Sequence, residues 1–292
     1  MHFIYLQQSG KPVEVGSGTF WSLAGAAVAE DKWRTLQLRI NGLQKSFQKS
    51  NYAPGVTRIN ANDLLHPRNA TRKWTEAYCK GLEKIVATLD VKFFLVVVDK
   101  RTTDKPAHPK WLYPLSYHYL FRPISQYLRE NGTTGALVIP PGRDEERRAI
   151  SELQFSSVFS SSAKHNPIIG SPLQQSEPEA AGLQVADFVA TVARRYHEHT
   201  YPKLYNKDVL SDYDATINGH YQAFVKPNTY QSPTTDAKGY RIRGYIYLWR
   251  KEGIYPGRQD SDDGVPIEGD SNDSNPSSDS GEKYRRGGVT YS

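Results

Sequence analysis

Lys92-Phe-Phe-Leu-Val-Val-Val-Asp99 is the stretch on which the fold turns. Its apolar, valine-rich run predicts a strand buried on both faces, of the kind found at the centre of a sheet covered by helices. The chain on either side supplies such neighbours. His2 to Gln7 reads as a short apolar strand, followed by turn residues Ser9-Gly10-Lys11-Pro12. Thr19 to Val28 reads as a second strand. Glu30-Asp31 then opens a helix in which Trp33, Leu36, Ile40, Leu43 and Phe47 recur at three- and four-residue steps. A second helix is expected from about Asn69 to Leu89, with Trp74, Tyr78, Leu82, Ile85 and Leu89 on one face. Beyond the central strand come a helix over residues 112–130, a strand from Gly135 to Ile139 and a charged helix from Arg143 to Leu153. Two short apolar segments follow, Phe155 to Phe159 and Ile168-Ile169. A last helix opens at Glu177-Pro178-Glu179 and runs to about His199. Strands first, then strands alternating with helices, predict an α/β fold: a mixed sheet with helices on its faces.

Composition divides the chain. Hydrophobic residues make up 38% of its 292 residues, a low share that comes in part from one segment. From Gln259 to Glu282 the chain is mainly Ser, Asp, Asn, Gly and Pro, with eight acids and no Lys or Arg. Such a stretch cannot bury enough apolar surface to offset its ordering entropy, so residues 258–292 are expected to be a disordered acidic tail. The whole chain carries 37 bases and 31 acids, a net charge of +6. Residues 1–258, without the eight acids and the bases Lys283, Arg285 and Arg286 that follow, hold 34 bases against 23 acids, or +11. A body this basic suits a polyanion such as DNA or RNA, and equally suits a basic surface with no specific partner.

One cysteine, Cys79, excludes an intrachain disulfide and a Cys-rich metal site, and is expected to be a small core residue. No signal peptide is evident at the N-terminus and no apolar run is long enough to span a bilayer, so a cytoplasmic protein with no membrane partner is expected. HExxH, CxxC, phosphate-loop and GxSxG patterns are absent from the sequence.

Two acids stand out. Asp99 closes the central strand at its carboxyl end, where open α/β sheets place their ligands, although Asp is also common there as a turn cap. Asp187 sits among Leu183, Val185, Ala186, Phe188 and Val189. So apolar a setting asks for a charge partner or a metal, or marks the polar edge of an amphipathic helix. Glu177 and Glu179 complement a helix dipole. His197 and His199 are spaced to opposite sides of a helix, which is unsuited to a shared metal. Near the end, Arg241, Arg243, Tyr245, Tyr247, Trp249 and Lys251 would share one face of a strand, with Ile242, Ile246 and Leu248 on the other. That stripe fits a single-strand nucleic-acid platform. It fits as well an edge strand whose aromatics pack under a loop.

Taken together, four blocks resemble the bacterial domain-of-unknown-function 3800 family, whose members look like ribonuclease H-type nucleases. Leu6-Gln7-Gln8-Ser9-Gly10 stands where that family usually reads Asp-Glu-Ser-Gly. Arg58-Ile-Asn60-Ala-Asn-Asp-Leu64 stands where it often shows Glu-x-His-Ala. The central strand ends in Asp99-Lys100, and a late helix carries Leu183-Gln-Val-Ala-Asp187 with Arg194-Arg195 after it. The resemblance covers residues 1–200 and implies a ribonuclease H-like core there. Residues 201–257 would be a Tyr/Pro-rich extension packed on that core. It further implies acids gathered around Mg²⁺ or Mn²⁺ for two-metal phosphodiester hydrolysis.

The sequence departs from that pattern. Asp99 and Asp187 match as catalytic and metal-binding acids. Gln7 and Gln8 replace the acidic pair, Arg58 and Asn60 replace Glu and His, and the strand ending at Ile139 runs into Pro140-Pro141 where another Asp is usual. Three functions follow as expectations. One is a catalytically degenerate member, a pseudoenzyme that binds nucleic acid or a protein partner. Another is an active Mg- or Mn-dependent nuclease of phage defence or a mobile element, with Asp63, Glu177 and Glu179 filling the site. The last is a protein-interaction module whose acidic tail is a tether or nucleic-acid mimic.

Overall fold

Lys92–Asp99 forms β3, and from Phe93 onward every residue of it is buried. The computed structural model describes residues 1–12, 20–49, 60–100, 109–159, 167–176, 180–206, 208–235 and 241–248. β1 (His2–Ser9) and β2 (Phe20–Ala29) form an antiparallel pair, and β2 pairs antiparallel with β3. β4 (Gly135–Ile139) lies parallel to β1, and β5 (Ile168–Gln174) parallel to β4. Two short strands, β6 (Gln231–Thr235) and β7 (Arg241–Arg243), form a separate hairpin-like pair. β8 (Tyr245–Leu248) lies parallel to β3 at the far edge. The main sheet therefore runs β5-β4-β1-β2-β3-β8. Only β2 runs against the rest, so five strands present their carboxyl ends to one edge.

Helices cover both faces, which explains the unbroken apolar run of β3. Phe93, Leu95 and Val97 join Tyr5, Ala24 and Ala26 in a core shared with α1 (Trp33–Lys49), α4 (Lys73–Leu89) and α7 (Ala181–Arg195). Phe94, Val96 and Val98 join Ile4 and Leu6 in a second core under α5 (Pro109–Glu130) and α6 (Asp144–Phe159). Cys79 is buried in the first core, and burial pushes its thiol well above the ordinary range. Among the described residues no helix is long and apolar enough to cross a membrane.

Several boundaries differ from those read in the sequence. The helix expected over Asn69 to Leu89 is two, α3 (Pro67–Ala70) and α4, with Arg72 the extended residue between them. Residues 155–159 complete α6 and are not a separate segment. Ile168-Ile169 begins a strand that continues to Gln174 along the open edge. Glu30 and Asp31 precede α1, whose first turn holds no acid. After α7 the chain passes through a π-helical turn, Tyr196–Thr200, into α8 (Tyr201–Asn206) and then α9 (Asp212–His220).

The region after residue 200 is more than an outer layer. Tyr221, Phe224 and Val225 enter the first core, and β8 extends the main sheet. The stripe expected from Arg241 to Lys251 is divided at Gly244, where the chain leaves β7 for β8. A side chain there would press on the Phe93 carbonyl, with 2.8 Å between that oxygen and a Cβ. The acidic segment Gln259 to Glu282 lies outside the described residues.

Candidate functional site

Strand alternation sends Gln7 to the α7 face of the sheet, in line with Tyr5, at the end of β1 where the strands' carboxyl ends gather. It is 1% exposed, and its Oε1 accepts a hydrogen bond from Arg143 Nη2 at 2.7 Å. Arg143 lies just before α6, in the connection that leaves β4. Its Nη1 donates to both carboxylate oxygens of Glu146 at 3.2 Å. The Glu146 side chain is 2% exposed. Burial pushes its carboxyl above the ordinary range, against the opposing pull of Arg143. Tyr113 and Tyr117 on α5 feel the same group: burial first, and the Glu146 charge second, raise both hydroxyls. Gln8, the next residue, points to the opposite face with Leu6 and hydrogen-bonds the Tyr113 hydroxyl of α5, while its Oε1 is buried without a protein partner.

Ser9 closes β1 against α7. Its Oγ accepts from Thr191 Oγ1 at 3.1 Å and from Arg194 Nε at 3.0 Å. Gly10 follows at φ +93, a conformation that favours glycine, and Arg194 passes close over it. One strand over, Ser22 Oγ donates to the Ala190 carbonyl at 2.7 Å. Gly182 abuts Tyr5 and Thr191 abuts Ser9, so α7 runs along β1 and brings Asp187 level with Gln7. The first and last of the four sequence blocks therefore pack together.

Asp187 has a structural partner. Its Oδ2 accepts the backbone N–H of Ala61 at 3.3 Å, at the start of the short helix α2 (Ala61–Leu64). A carboxylate there satisfies an otherwise orphan donor and complements the helix end. Asn60 caps the same helix, its Oδ1 accepting from Asn62 N at 2.7 Å. Asp187 and Asn60 are thus brought to one place by a capping arrangement. Asp63 is exposed in the first turn of α2. Arg58, Glu177 and Glu179 lie outside the described residues.

Asp99 does not join them. Gln7 is in register with Ala24, and Ala24 with Leu95; Asp99 is level with Phe20 instead. Four residues of rise and two strand spacings separate Asp99 from Gln7, roughly 16 Å between Cα atoms. From the Ser22–Ala190 contact, which is level with Val97, Asp187 lies three residues back along α7 and Asp99 two residues on along β3. The two acids diverge in opposite directions, by about 11 Å along the strands.

These residues do not fit a two-metal centre. The oxygen at the end of β1 belongs to an amide and already accepts from a guanidinium, whose fixed positive charge opposes a second cation nearby. Among the described residues no group of three or more His, Cys, Asp or Glu side chains is gathered so as to hold a metal ion.

The aromatic stripe is also placed differently from a binding platform. Tyr245 and Tyr247 are 8% and 3% exposed and belong to the first core. The Tyr245 hydroxyl hydrogen-bonds His197 Nε2, and the imidazole stacks on both tyrosine rings. Ring faces packed in this way are not offered to bases. Arg241 and Arg243 sit in β7, on the other side of the Gly244 break. Trp249 and Lys251 lie outside the described residues.

Arg143 and Glu146 were not legible as site residues. In sequence they are an (i, i+3) pair at the start of a charged helix, and the acids there are explained by the helix dipole alone. The available signal was position: Pro140-Pro141-Gly142-Arg143 leaves the carboxyl end of a sheet strand, where side chains reach the functional edge. Compared with known proteins, the chain matches no family model and no curated protein.

Proposed function

We propose that the chain is a ribonuclease H-like, nuclease-related protein that binds nucleic acid through its basic body and does not cut it by two-metal hydrolysis. The observation that carries this reading is Gln7, buried at the end of β1 with its amide oxygen held by Arg143. An acid at that place would supply charge to a divalent ion; an amide bound to a guanidinium does not. Support for the fold part comes from the sheet itself: a three-stranded antiparallel meander, β1 to β3, continued by β4 and β5 parallel to β1. Support for nucleic acid comes from the net charge of +11 on residues 1–258, counted as 34 bases and 23 acids.

The test is fluorescence anisotropy with single- and double-stranded DNA and RNA over a salt series, beside a cleavage assay in Mg²⁺ and in Mn²⁺. The reading expects binding whose log affinity falls linearly with log salt, and intact substrate. Mn²⁺-dependent cleavage lost in Asp187→Asn overturns the non-cutting part. No binding to any of the four polymers at low salt overturns the nucleic-acid part.

A further inference from the structure

We propose that Arg143 is a resident cation: its guanidinium occupies, at the end of β1, the place a divalent ion would take, and thereby closes this edge of the sheet to metal. The inference deepens the reading above and rests on it only for the expectation that an ion belongs at that position. Its own support is the bridge. One guanidinium joins Gln7 Oε1 at 2.7 Å to both oxygens of Glu146 at 3.2 Å. The groups it joins come from β1 and α6, and both are almost wholly buried.

Each feature of a cation site is present in altered form. A buried carboxylate, Glu146, needs a positive partner, and Arg143 supplies one through a single nitrogen shared between both carboxylate oxygens. Gln7 supplies a neutral oxygen on the opposite side of the same group. A guanidinium keeps its charge at all physiological pH and cannot lower the pKa of a coordinated water. It therefore reproduces the neutralising role of an ion without its hydrolytic chemistry. The Arg143 side chain is 22% exposed, so it closes the site from the solvent side while its partners stay buried.

This makes an epistatic prediction. Restoring the acid alone, by Gln7→Asp, would hand Arg143 a second carboxylate and strengthen the bridge. It would not create a metal site while the guanidinium stays. Removing the charge as well, in Gln7→Asp/Arg143→Gln, leaves two carboxylates facing a space formerly filled by a cation. Lysine at 143 in the same background keeps a competing charge.

The experiment is calorimetric titration of the full chain with Mn²⁺, with thermal melts confirming that each variant is folded. Gln7→Asp and Gln7→Asp/Arg143→Lys are expected to show no binding. Gln7→Asp/Arg143→Gln is expected to bind Mn²⁺ with a Kd about tenfold or more below the highest concentration at which the other two show none, the least that follows from removing a like charge roughly 4 Å away. Equal affinity in all three, or no binding by a folded Gln7→Asp/Arg143→Gln, overturns the proposal. Should that double variant not fold, Gln7→Asp alone decides: it keeps the bridge, and Mn²⁺ binding by it overturns the proposal. Binding by the wild type is a separate outcome, which defeats the non-catalytic reading of the site as well.

Discussion

At the scale of single residues, Gly182 decides where α7 can lie. A Cβ on it would overlap the Tyr5 ring, so only glycine allows the helix to approach β1 this closely. That approach is what brings Asp187 level with Gln7. Gly182→Ala is expected to push α7 off the sheet and to destabilise the protein by about 1–3 kcal/mol. For a domain of this size the loss lowers the melting temperature by roughly 2–4 °C per kcal/mol, which a thermal melt followed by circular dichroism measures. In sequence this glycine is one small residue before an apolar stretch, and nothing local marks it. Cys79 is the opposite case: its place in an amphipathic helix pointed to the core, and it is buried there. Arg143 could be recognised only once Gln7 and Glu146 were seen on either side of it, because its partners come from a distant strand and the next helix turn.

At the scale of elements, α9 shows how a cap couples to pH. Ser211 Oγ accepts from Asp214 N at 3.2 Å, and Asp214 returns a carboxylate oxygen to the Ser211 backbone N–H at 3.3 Å. Lys203 Nζ donates to the same oxygen at 2.5 Å. Burial alone would raise the Asp214 carboxyl; the hydrogen bonds from Lys203 and Ser211 outweigh it and hold the group below its ordinary 3.8. A carboxyl depressed in the folded state binds its proton more readily when unfolded. The stabilisation is therefore complete above the ordinary value and is lost as pH falls through the lower, folded value. Asp214→Asn should cost about 1–2 kcal/mol near neutral pH, and the gap from wild type should close under strongly acid conditions. Urea denaturation at a series of pH values measures it, and a gap that is constant with pH would contradict the assignment. The end of the chain teaches a different lesson. Alternation over Arg241 to Lys251 is real in the sequence, but at Gly244 the chain passes from one sheet to another, so Arg241–Arg243 and Tyr245–Leu248 are separate strands. The break depends on how close β8 must come to β3, which is a property of the pairing.

At the scale of the molecule, the sheet has two filled faces and neither core can be emptied cheaply. Phe94 lies against the rings of Tyr127 and Tyr230, with centroids 5.6 and 5.5 Å away. Phe94→Ala is expected to cost about 3–5 kcal/mol, read from the shift in urea midpoint. Both cores meet one edge where the strands' carboxyl ends gather, because five of the six strands point the same way. What that edge can do follows from the groups each strand delivers: Gln7 and Ser9 from β1, Asp99 from β3, and Arg143 from the connection after β4.

By itself the sequence determined the α/β class, the doubly buried central strand, the main helical faces and the basic body. These are carried by local periodicity and composition, which hold whatever the distant chain does. Only the tertiary structure decided which of the candidate residues meet and which stay apart. Register sets Asp99 roughly 16 Å from Gln7, since each residue of offset moves a side chain about 3.3 Å along the strand. Helix packing gave Asp187 to the start of α2, and the connection after β4 brought Arg143 onto Gln7. Those contacts join residues more than a hundred positions apart, and no local pattern encodes the offset at which two such segments pair.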